Sequence, residues 1–314
     1  TKGNKGIFTS CKKREGCPPW SIQAQKIIHD KKKKQLIYDN AFLKVYDFPI
    51  VYFPKFFHPD PTVKRQSGLL KPILNESETL GSSLQLPYFK ILSTDRDITF
   101  RPNIFNNNIF MLQNEYREKT ENSTLIADFA FTNGYKSSLS NKKKSISHLF
   151  AKYKSNLNLN NFISSKLNIN LEKVTNDTYL KVFDSNLSEM AVRPDKNNLI
   201  SSIDLSLEHD DFNFSTGLTS YETLSGKNSD RYQYVLPYFN FSKNLFENQD
   251  LFNISFNSSG SNNLKNTNNL RSRIVNDINI ESNDYIFDSG LKNKFGTYLK
   301  NLNSTGKNDD LYKS

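Results

Sequence analysis

The chain is poor in most of what anchors or punctuates a globular domain. It has two cysteines, Cys11 and Cys17, among 314 residues. Their spacing lacks the second ligand pair of a zinc site, so no metal is indicated. So few cysteines leave the redox compartment open. Long hydrophobic runs are also missing. The longest apolar stretch, Phe48 to Pro54, covers seven residues, and a spanning helix needs about 18. No segment has a convincing amphipathic-helix pattern. There is no initiator methionine and no signal peptide, so the sequence reads as processed or cut from something longer. Glycine and proline are modest, at 12 and 11. Only 36% of residues are hydrophobic.

Aromatics are plentiful, with 24 Phe and 15 Tyr, which excludes a disordered chain. The net charge is +10, from 42 basic and 32 acidic residues. A basic surplus fits an anionic partner such as nucleic acid, a lipid headgroup or phosphate. It fits equally well a chain whose polar loops are filled by Lys and Asn.

Enzyme chemistry finds no foothold. The histidines His29, His58, His148 and His209 lie far apart in unlike contexts. No Gly-x-Ser-x-Gly motif or glycine-rich phosphate loop occurs. His209-Asp210-Asp211 reads as a hairpin loop between two strands. The residues therefore imply no enzyme, no cofactor and no metal. Nucleic acid is disfavoured too. Aromatics interleave with lysine at Lys152-Tyr153-Lys154, but they lie largely on the apolar side of alternating segments, whereas single-strand binders need aromatic platforms on a basic face. Asn-x-Ser/Thr triplets such as Asn75-Glu76-Ser77 arise by chance in an Asn-rich chain.

What the sequence has in quantity is two-residue alternation, from about residue 82 onward. Ile98, Phe100, Pro102 and Ile104 alternate with Asp97, Thr99, Arg101 and Asn103. Leu167, Ile169 and Leu171 alternate with Asn168 and Asn170, and Ile203, Leu205 and Leu207 with Asp204 and Ser206. Each is a strand with one apolar and one polar face. Turn-prone stretches separate them: Asn106-Asn107-Asn108, Asn133-Gly134, Ser140-Asn141 and Ser258-Ser259-Gly260. The spacing predicts roughly ten to twelve strands after residue 66 in an antiparallel meander. A soluble sandwich would bury the apolar faces between sheets. A membrane barrel would turn them to lipid. The long helix-free meander favours the barrel.

The first sixty or so residues differ. Trp20 to Ile28 and Gln35 to Val45 read as strands around a charged turn, Asp30-Lys31-Lys32-Lys33-Lys34. That turn reads as a solvated hairpin tip, with phosphate binding as the lesser reading. Phe48 to Phe53 reads as a buried strand.

Several stretches resemble, in order and spacing, the outer-membrane lipopolysaccharide-assembly family LptD. Phe8-Thr9-Ser10-Cys11, Trp20-Ser21-Ile22 and Ile27-Ile28-His29-Asp30 resemble the end of that family's periplasmic β-jellyroll. Two cysteines before Pro18-Pro19-Trp20 resemble its alphaproteobacterial branch. Phe48 to Pro54, His58-Pro59-Asp60-Pro61 and Arg65-Gln66-Ser67-Gly68-Leu69-Leu70-Lys71-Pro72 resemble the connection into the barrel. Leu86-Pro87-Tyr88-Phe89, Asp97 to Pro102 and Asn114-Glu115-Tyr116-Arg117 resemble the first barrel strands. Asn176 to Leu180 and Leu236-Pro237-Tyr238 resemble later ones.

The resemblance implies an all-β chain: the C-terminal part of a periplasmic β-jellyroll over 1–62, then an incomplete antiparallel transmembrane β-barrel over 63–314. Most of the jellyroll and the later half of the family's barrel are absent, so the chain reads as an internal fragment. The implied function is lipopolysaccharide transport and assembly at the outer membrane, through a barrel gated sideways to the outer leaflet. The implied partners are lipopolysaccharide, the plug lipoprotein LptE, the periplasmic bridge protein LptA and outer-membrane lipids. Cys11 and Cys17 become disulfide candidates. Pro72 and Pro87 become lateral-gate residues. His58, Pro59, Asp60, Pro61, Arg65, Ser67 and Gly68 become the domain junction. Another outer-membrane barrel, or a soluble β-sandwich binding module, is the alternative.

Overall fold

A computed structural model describes residues 2–9, 20–60, 62–63, 65–137, 140–226, 231–247 and 252–309. Cys11, Cys17 and Pro61 lie outside the described residues. The chain divides into two compact units. One comprises Thr1–Glu118, Asp128–Ser147 and Val182–Met190; the other comprises Lys119–Ala127, His148–Lys181 and Ala191–Ser314.

The first unit opens with a four-stranded antiparallel sheet. Its strands β1 (Lys2–Phe8), β2 (Trp20–Asp30), β3 (Gln35–Val45) and β4 (Phe48–Pro59) lie in sequence order. The β2–β3 hairpin turns at the lysine run, as the sequence leads one to expect. One face of this sheet carries an apolar core of Trp20, Ile22, Ala24, Tyr38, Ala41, Leu43 and Phe56. Along β3 the buried set changes phase between Tyr38 and Ala41. Asn40 makes the change with φ of 48°, a left-handed conformation that asparagine tolerates. The expectation that Phe48 to Phe53 is buried fails. Phe48, Ile50 and Tyr52 are 73%, 52% and 49% exposed. β4 is the sheet's outer strand, which is where prolines such as Pro49 and Pro54 are tolerated, because no ladder N–H is needed there.

The remaining strands form one antiparallel sheet of fifteen, plus a small hairpin. They begin with β5 (Gly68–Leu69), β6 (Ile73–Ser77), β7 (Gly81–Gln85), β8 (Tyr88–Ile91), β9 (Arg96–Phe105), β10 (Phe110–Lys119), β11 (Ser123–Ser137) and β12 (Ser140–Asn156). After β13 (Ser164–Val174) comes a short helix, α1 (Tyr179–Val182), so Asn176 to Leu180 is not a strand as expected. β14 (Asn198–Glu208), β15 (Phe212–Thr223), β16 (Tyr232–Glu247), β17 (Phe252–Lys265) and β18 (Asn269–Ser282) follow. The hairpin β19 (Tyr285–Ile286) and β20 (Lys292–Asn293) precedes β21 (Gly296–Lys307). The sheet order runs β6-β7-β9 and then in sequence to β18, with β21 last; β5 pairs with β8, which pairs with β9. β6 and β21 end this order.

Among the described residues seventeen strands follow residue 66, more than expected; breaking the first hairpin into four pieces adds two, and the small β19–β20 hairpin adds two more. Three of the expected turns are not turns. Asn133-Gly134, Ser140-Asn141 and Ser258-Ser259-Gly260 lie inside β11, β12 and β17. Gly260 is there because Phe239 lies across it from β16; a Cβ would stand 2.4 Å from the phenyl ring.

In the first unit β9–β11 shield mostly polar side chains, together with Phe105, Met111 and Ala130. Asp97, Thr99, Arg101 and Asn103 on β9 are buried, whereas Ile98, Phe100 and Pro102 are half-buried and Ile104 is exposed. Gln113, Glu115, Asp128 and Thr132 are buried on β10 and β11, while Phe110, Phe129 and Phe131 are exposed. In the second unit the same alternation continues with like opposite like: Leu167 pairs with Leu205, Asn168 with Asp204, and Ile169 with Ile203.

Candidate functional site

The end of β4, the segment after it and the first broken hairpin come together in the first unit. They gather the sequence-predicted junction residues around one place. His58 and Pro59 close β4. The Asp60 carboxylate accepts hydrogen bonds from the Thr62 N–H and hydroxyl, each at 2.9 Å, and meets His29 Nε2 at 2.5 Å. The two Thr62 bonds and the nearby His29 hold the Asp60 carboxyl below the usual range. Arg65 reaches along the segment. Its guanidinium donates to the Thr94 carbonyl at 2.6 Å, to the Ser93 carbonyl at 3.4 Å and to Asp97 Oδ2 at 2.8 Å. The Ser67 hydroxyl accepts the Ile91 N–H at 2.8 Å. Gly68 is required by close packing, since a Cβ there would stand 2.8 Å from Pro59 Cδ. The end of the small sheet thus rests directly on the start of the large one.

Pro72 and Pro87 sit opposite each other in the first hairpin. β5 pairs with β8, and β6 with β7, in registers that differ by one residue. Leu70-Lys71-Pro72 therefore faces Leu86-Pro87, three residues against two, which is a β-bulge. Both prolines are buried. The bulge keeps some bonds: the Leu70 N–H donates to the Pro87 carbonyl at 2.8 Å, and the Leu86 N–H to the Pro102 carbonyl at 3.1 Å. A proline supplies no N–H to either neighbour.

Two cavities meet at this bulge. The first, of about 170 Å³, is apolar and lies on the core face of the small sheet. It is lined by Phe8, Trp20, Ile22, Leu43, Phe53 and Phe56, and closed by Leu69, Leu70, Pro72 and Leu86 from the hairpin. The second, of about 640 Å³, runs past Tyr46, Pro72, Ile73, Leu74 and Pro87 and is lined by three charged residues, Lys71, Arg101 and Glu189, among these mostly apolar ones. Trp20, Leu70, Lys71 and Pro72 line both. An apolar space and a mixed one that reaches Arg101 and Glu189 therefore share a wall made of the bulge and one indole.

Polar atoms in the apolar part are left without partners. Trp20 Nε1, Tyr38 Oη and His58 Nδ1 are buried with no hydrogen bond among the described residues. Burial raises the Tyr38 hydroxyl above its ordinary value. Burial also lowers the His58 imidazole, against the upward pull of Asp60. His58 stacks on Tyr38 at 5.4 Å and packs on Phe8 at 4.7 Å, so its neutral form suits its surroundings.

The larger cavity reaches the shielded polar side chains at Arg101. Arg101 there meets Glu115 at 3.2 Å and Asp128 at 3.7 Å. Gln113 donates to both Asp128 oxygens, and Arg117 holds Asp97 at 2.8 Å. Part of this face is covered by residues 182–190. Phe183 packs edge-on to Phe105 at 6.2 Å, and the Asn186 amide donates to Ser83 Oγ at 2.9 Å. Sequence reasoning missed this cover. Phe183, Leu187 and Asn186 carry no periodic pattern and no motif that sets them apart from an ordinary loop. Among the described residues, no group of three or more His, Cys, Asp or Glu could hold a metal ion.

No family model matches the chain. It is similar to curated proteins named LPS-assembly protein LptD. With that of Legionella pneumophila (strain Paris) it shares 27% identity over 237 residues, covering 70% of this chain and 26% of the relative. With that of Pseudoalteromonas atlantica it shares 26% over 234 residues, covering 74% and 29%. With that of Polaromonas sp. it shares 32% over 117 residues, covering 36% and 14%. The chain thus spans little more than a quarter of the length of the first two of these relatives. These similarities support kinship with the LptD family.

Proposed function

We propose that the chain is a section of an LptD-type protein that moves lipopolysaccharide into the outer leaflet of the outer membrane. In this reading residues 1–62 end a periplasmic β-jellyroll and residues 63–314 begin a transmembrane barrel. The observation that carries it is the shared wall between the apolar cavity and the larger one that reaches Lys71, Arg101 and Glu189. Lipopolysaccharide is an amphiphile whose acyl chains and anionic sugar-phosphate part need different surroundings. The acyl chains would lie against Phe53, Phe56 and Leu43. The anionic part would pass Lys71 toward Arg101 and the polar face.

Pro72 and Pro87 would form the lateral gate. Each absent ladder bond is worth on the order of 1 kcal/mol, so the seam at β5 and β6 would be looser than its neighbours. His58, Pro59, Asp60, Arg65, Ser67 and Gly68 would keep the jellyroll in register with that seam. Pro61 lies in the same stretch. Cys11 and Cys17 would form disulfides in an extracytoplasmic compartment, as in the alphaproteobacterial branch. The plug lipoprotein LptE and the periplasmic bridge protein LptA would be the protein partners. No step calls for an enzyme's chemistry.

The inverted large sheet supports the membrane part of this reading. On β9–β11 the shielded side chains include Asp97, Arg101, Gln113, Glu115 and Asp128, beside the apolar Phe105, Met111 and Ala130, while Ile104, Phe110, Phe129 and Phe131 are exposed, a distribution that suits a largely polar lumen and an apolar outer face. Photo-crosslinking in the source cell tests the path. Benzoylphenylalanine at Phe53, and separately at Leu70, should each capture lipopolysaccharide. Absence of adduct at both positions, in protein that assembles normally, would contradict the path.

A further inference from the structure

The lysine turn between β2 and β3 has no part in the path just described. Lys31, Lys32, Lys33 and Lys34 are consecutive and all exposed. The turn has a fixed shape. Asp30 Oδ1 accepts the Lys32 and Lys33 N–H groups, each at 3.0 Å. The acid that adjoins the four lysines in the chain is therefore engaged with the backbone. These bonds hold the Asp30 carboxyl below its usual range.

The turn is also tied to the junction. The Asp60 N–H donates to the Lys34 carbonyl at 3.0 Å. Gln66 Nε2 donates to Gln35 Oε1 at 3.4 Å. His29, just before the turn, meets the Asp60 carboxylate. Pro59 packs on Gly68, the first residue of β5. A hairpin tip needed only for solubility would require none of these ties. Here they hold four like charges beside the point where the chain enters its first strand of the large sheet.

We propose that Lys31–Lys34 form a headgroup-binding site for anionic phospholipid at the surface of the membrane those strands enter. This inference rests on reading the large sheet as a membrane barrel. The chemistry recognised is the phosphate monoanion. Lysine suits a surface better than one fixed ligand. Its ammonium is a compact point charge on a flexible stem, without the planar fork with which arginine grips a single phosphate. The turn also lines none of the cavities described above. Attraction to a negative bilayer surface acts within a Debye length, about 8 Å at physiological ionic strength, so the ties to the junction are what make it effective. The site would fix the height and tilt of the small sheet against the bilayer.

The test uses the full-length protein in nanodiscs of phosphatidylcholine alone, or of phosphatidylcholine with phosphatidylglycerol. A water-soluble acylating reagent labels exposed lysines, mass mapping reads the rate at each, and exposed Lys265 serves as the internal control. Phosphatidylglycerol should slow labelling of Lys31–Lys34 by about fivefold or more, and high salt should abolish the effect. The variant Lys31→Gln/Lys33→Gln should lose much of the protection at Lys32 and Lys34. Equal rates in both nanodiscs, with the strands inserted as judged by heat-modifiable migration, would overturn the inference and leave the barrel reading standing. Failure to insert at all would sink both. Equal protection by inorganic phosphate in phosphatidylcholine nanodiscs would make this a free-phosphate site and refute the membrane contact. Protection by polyglutamate but not by phosphatidylglycerol would assign the turn to an acidic protein instead.

Discussion

The small sheet and strands β9–β11 of the large sheet are built from the same alternation, yet the first hides apolar side chains and the second hides many polar ones. In β1–β4 the shielded side chains are Trp20, Ile22, Tyr38, Leu43 and Phe56. In β9–β11 they include Asp97, Arg101, Gln113, Glu115 and Asp128. A two-residue period makes a strand with two unlike faces, but it does not say which face meets solvent. That is decided by what surrounds the sheet. Water rewards the first arrangement and hydrocarbon the second. At the bulge of Pro72 and Pro87 the two arrangements meet within one unit.

The largest expected effect comes from the large sheet's polar face. Arg101→Leu leaves Glu115 and Asp128 buried without their shared cation, a change that typically costs about 3–5 kcal/mol. The folded protein should lose its resistance to heat on a semi-native gel. In the small sheet the same exchange of charge for carbon would be benign. An unchanged transition would mean that this face is wet and its charges only loosely coupled.

A somewhat smaller effect is expected on the outward face. Phe131 is 51% exposed. In water, Phe131→Arg would be nearly neutral. Against hydrocarbon it should cost roughly 2–4 kcal/mol near the bilayer midplane. Folding titrations into lipid vesicles read the difference, and a cost below about 0.5 kcal/mol would place that face in water.

The smallest effect concerns the small sheet and pH. Burial lowers the folded His58 pKa below the ordinary histidine value of about 6.5. The unfolded chain therefore binds the proton first. The stability this histidine contributes is fully present above the unfolded value and declines as pH falls toward the folded one. His58→Phe keeps the ring packed on Phe8 and Tyr38 and removes the titration. Its stability should exceed that of the unaltered protein below about pH 6 and differ little at pH 8. Parallel pH profiles for the two would show that His58 is not the titrating group.

Much of this fold is legible in the residues. The β2–β3 hairpin and its lysine turn fall where alternation and charge put them, and β9 carries the expected phase at Asp97, Ile98, Thr99 and Phe100. The junction residues are legible only through the family resemblance, since nothing local in Arg65 announces its reach to Thr94 and Asp97. β4 misleads because an apolar run reads the same on an outer strand as in a core. Gly260 misleads because the ring that covers it belongs to Phe239, a cross-strand neighbour no local pattern can name. The cover formed by residues 182–190 is invisible for the same reason. Asn186 finds Ser83 across about a hundred residues of chain.

Spin-label accessibility along β9 tests the inverted sheet most directly. Single labels at each position from 97 to 104 in the reconstituted protein would be scanned with molecular oxygen, which partitions into lipid, and with a water-soluble nickel chelate. The expected result is a two-residue oscillation in oxygen accessibility, with maxima at Ile98, Phe100, Pro102 and Ile104 and minima at Asp97, Thr99, Arg101 and Asn103. Nickel accessibility should stay low at the oxygen maxima. Nickel maxima at Ile98, Phe100 and Ile104, in phase with oxygen, would put the apolar face in water and contradict the membrane barrel.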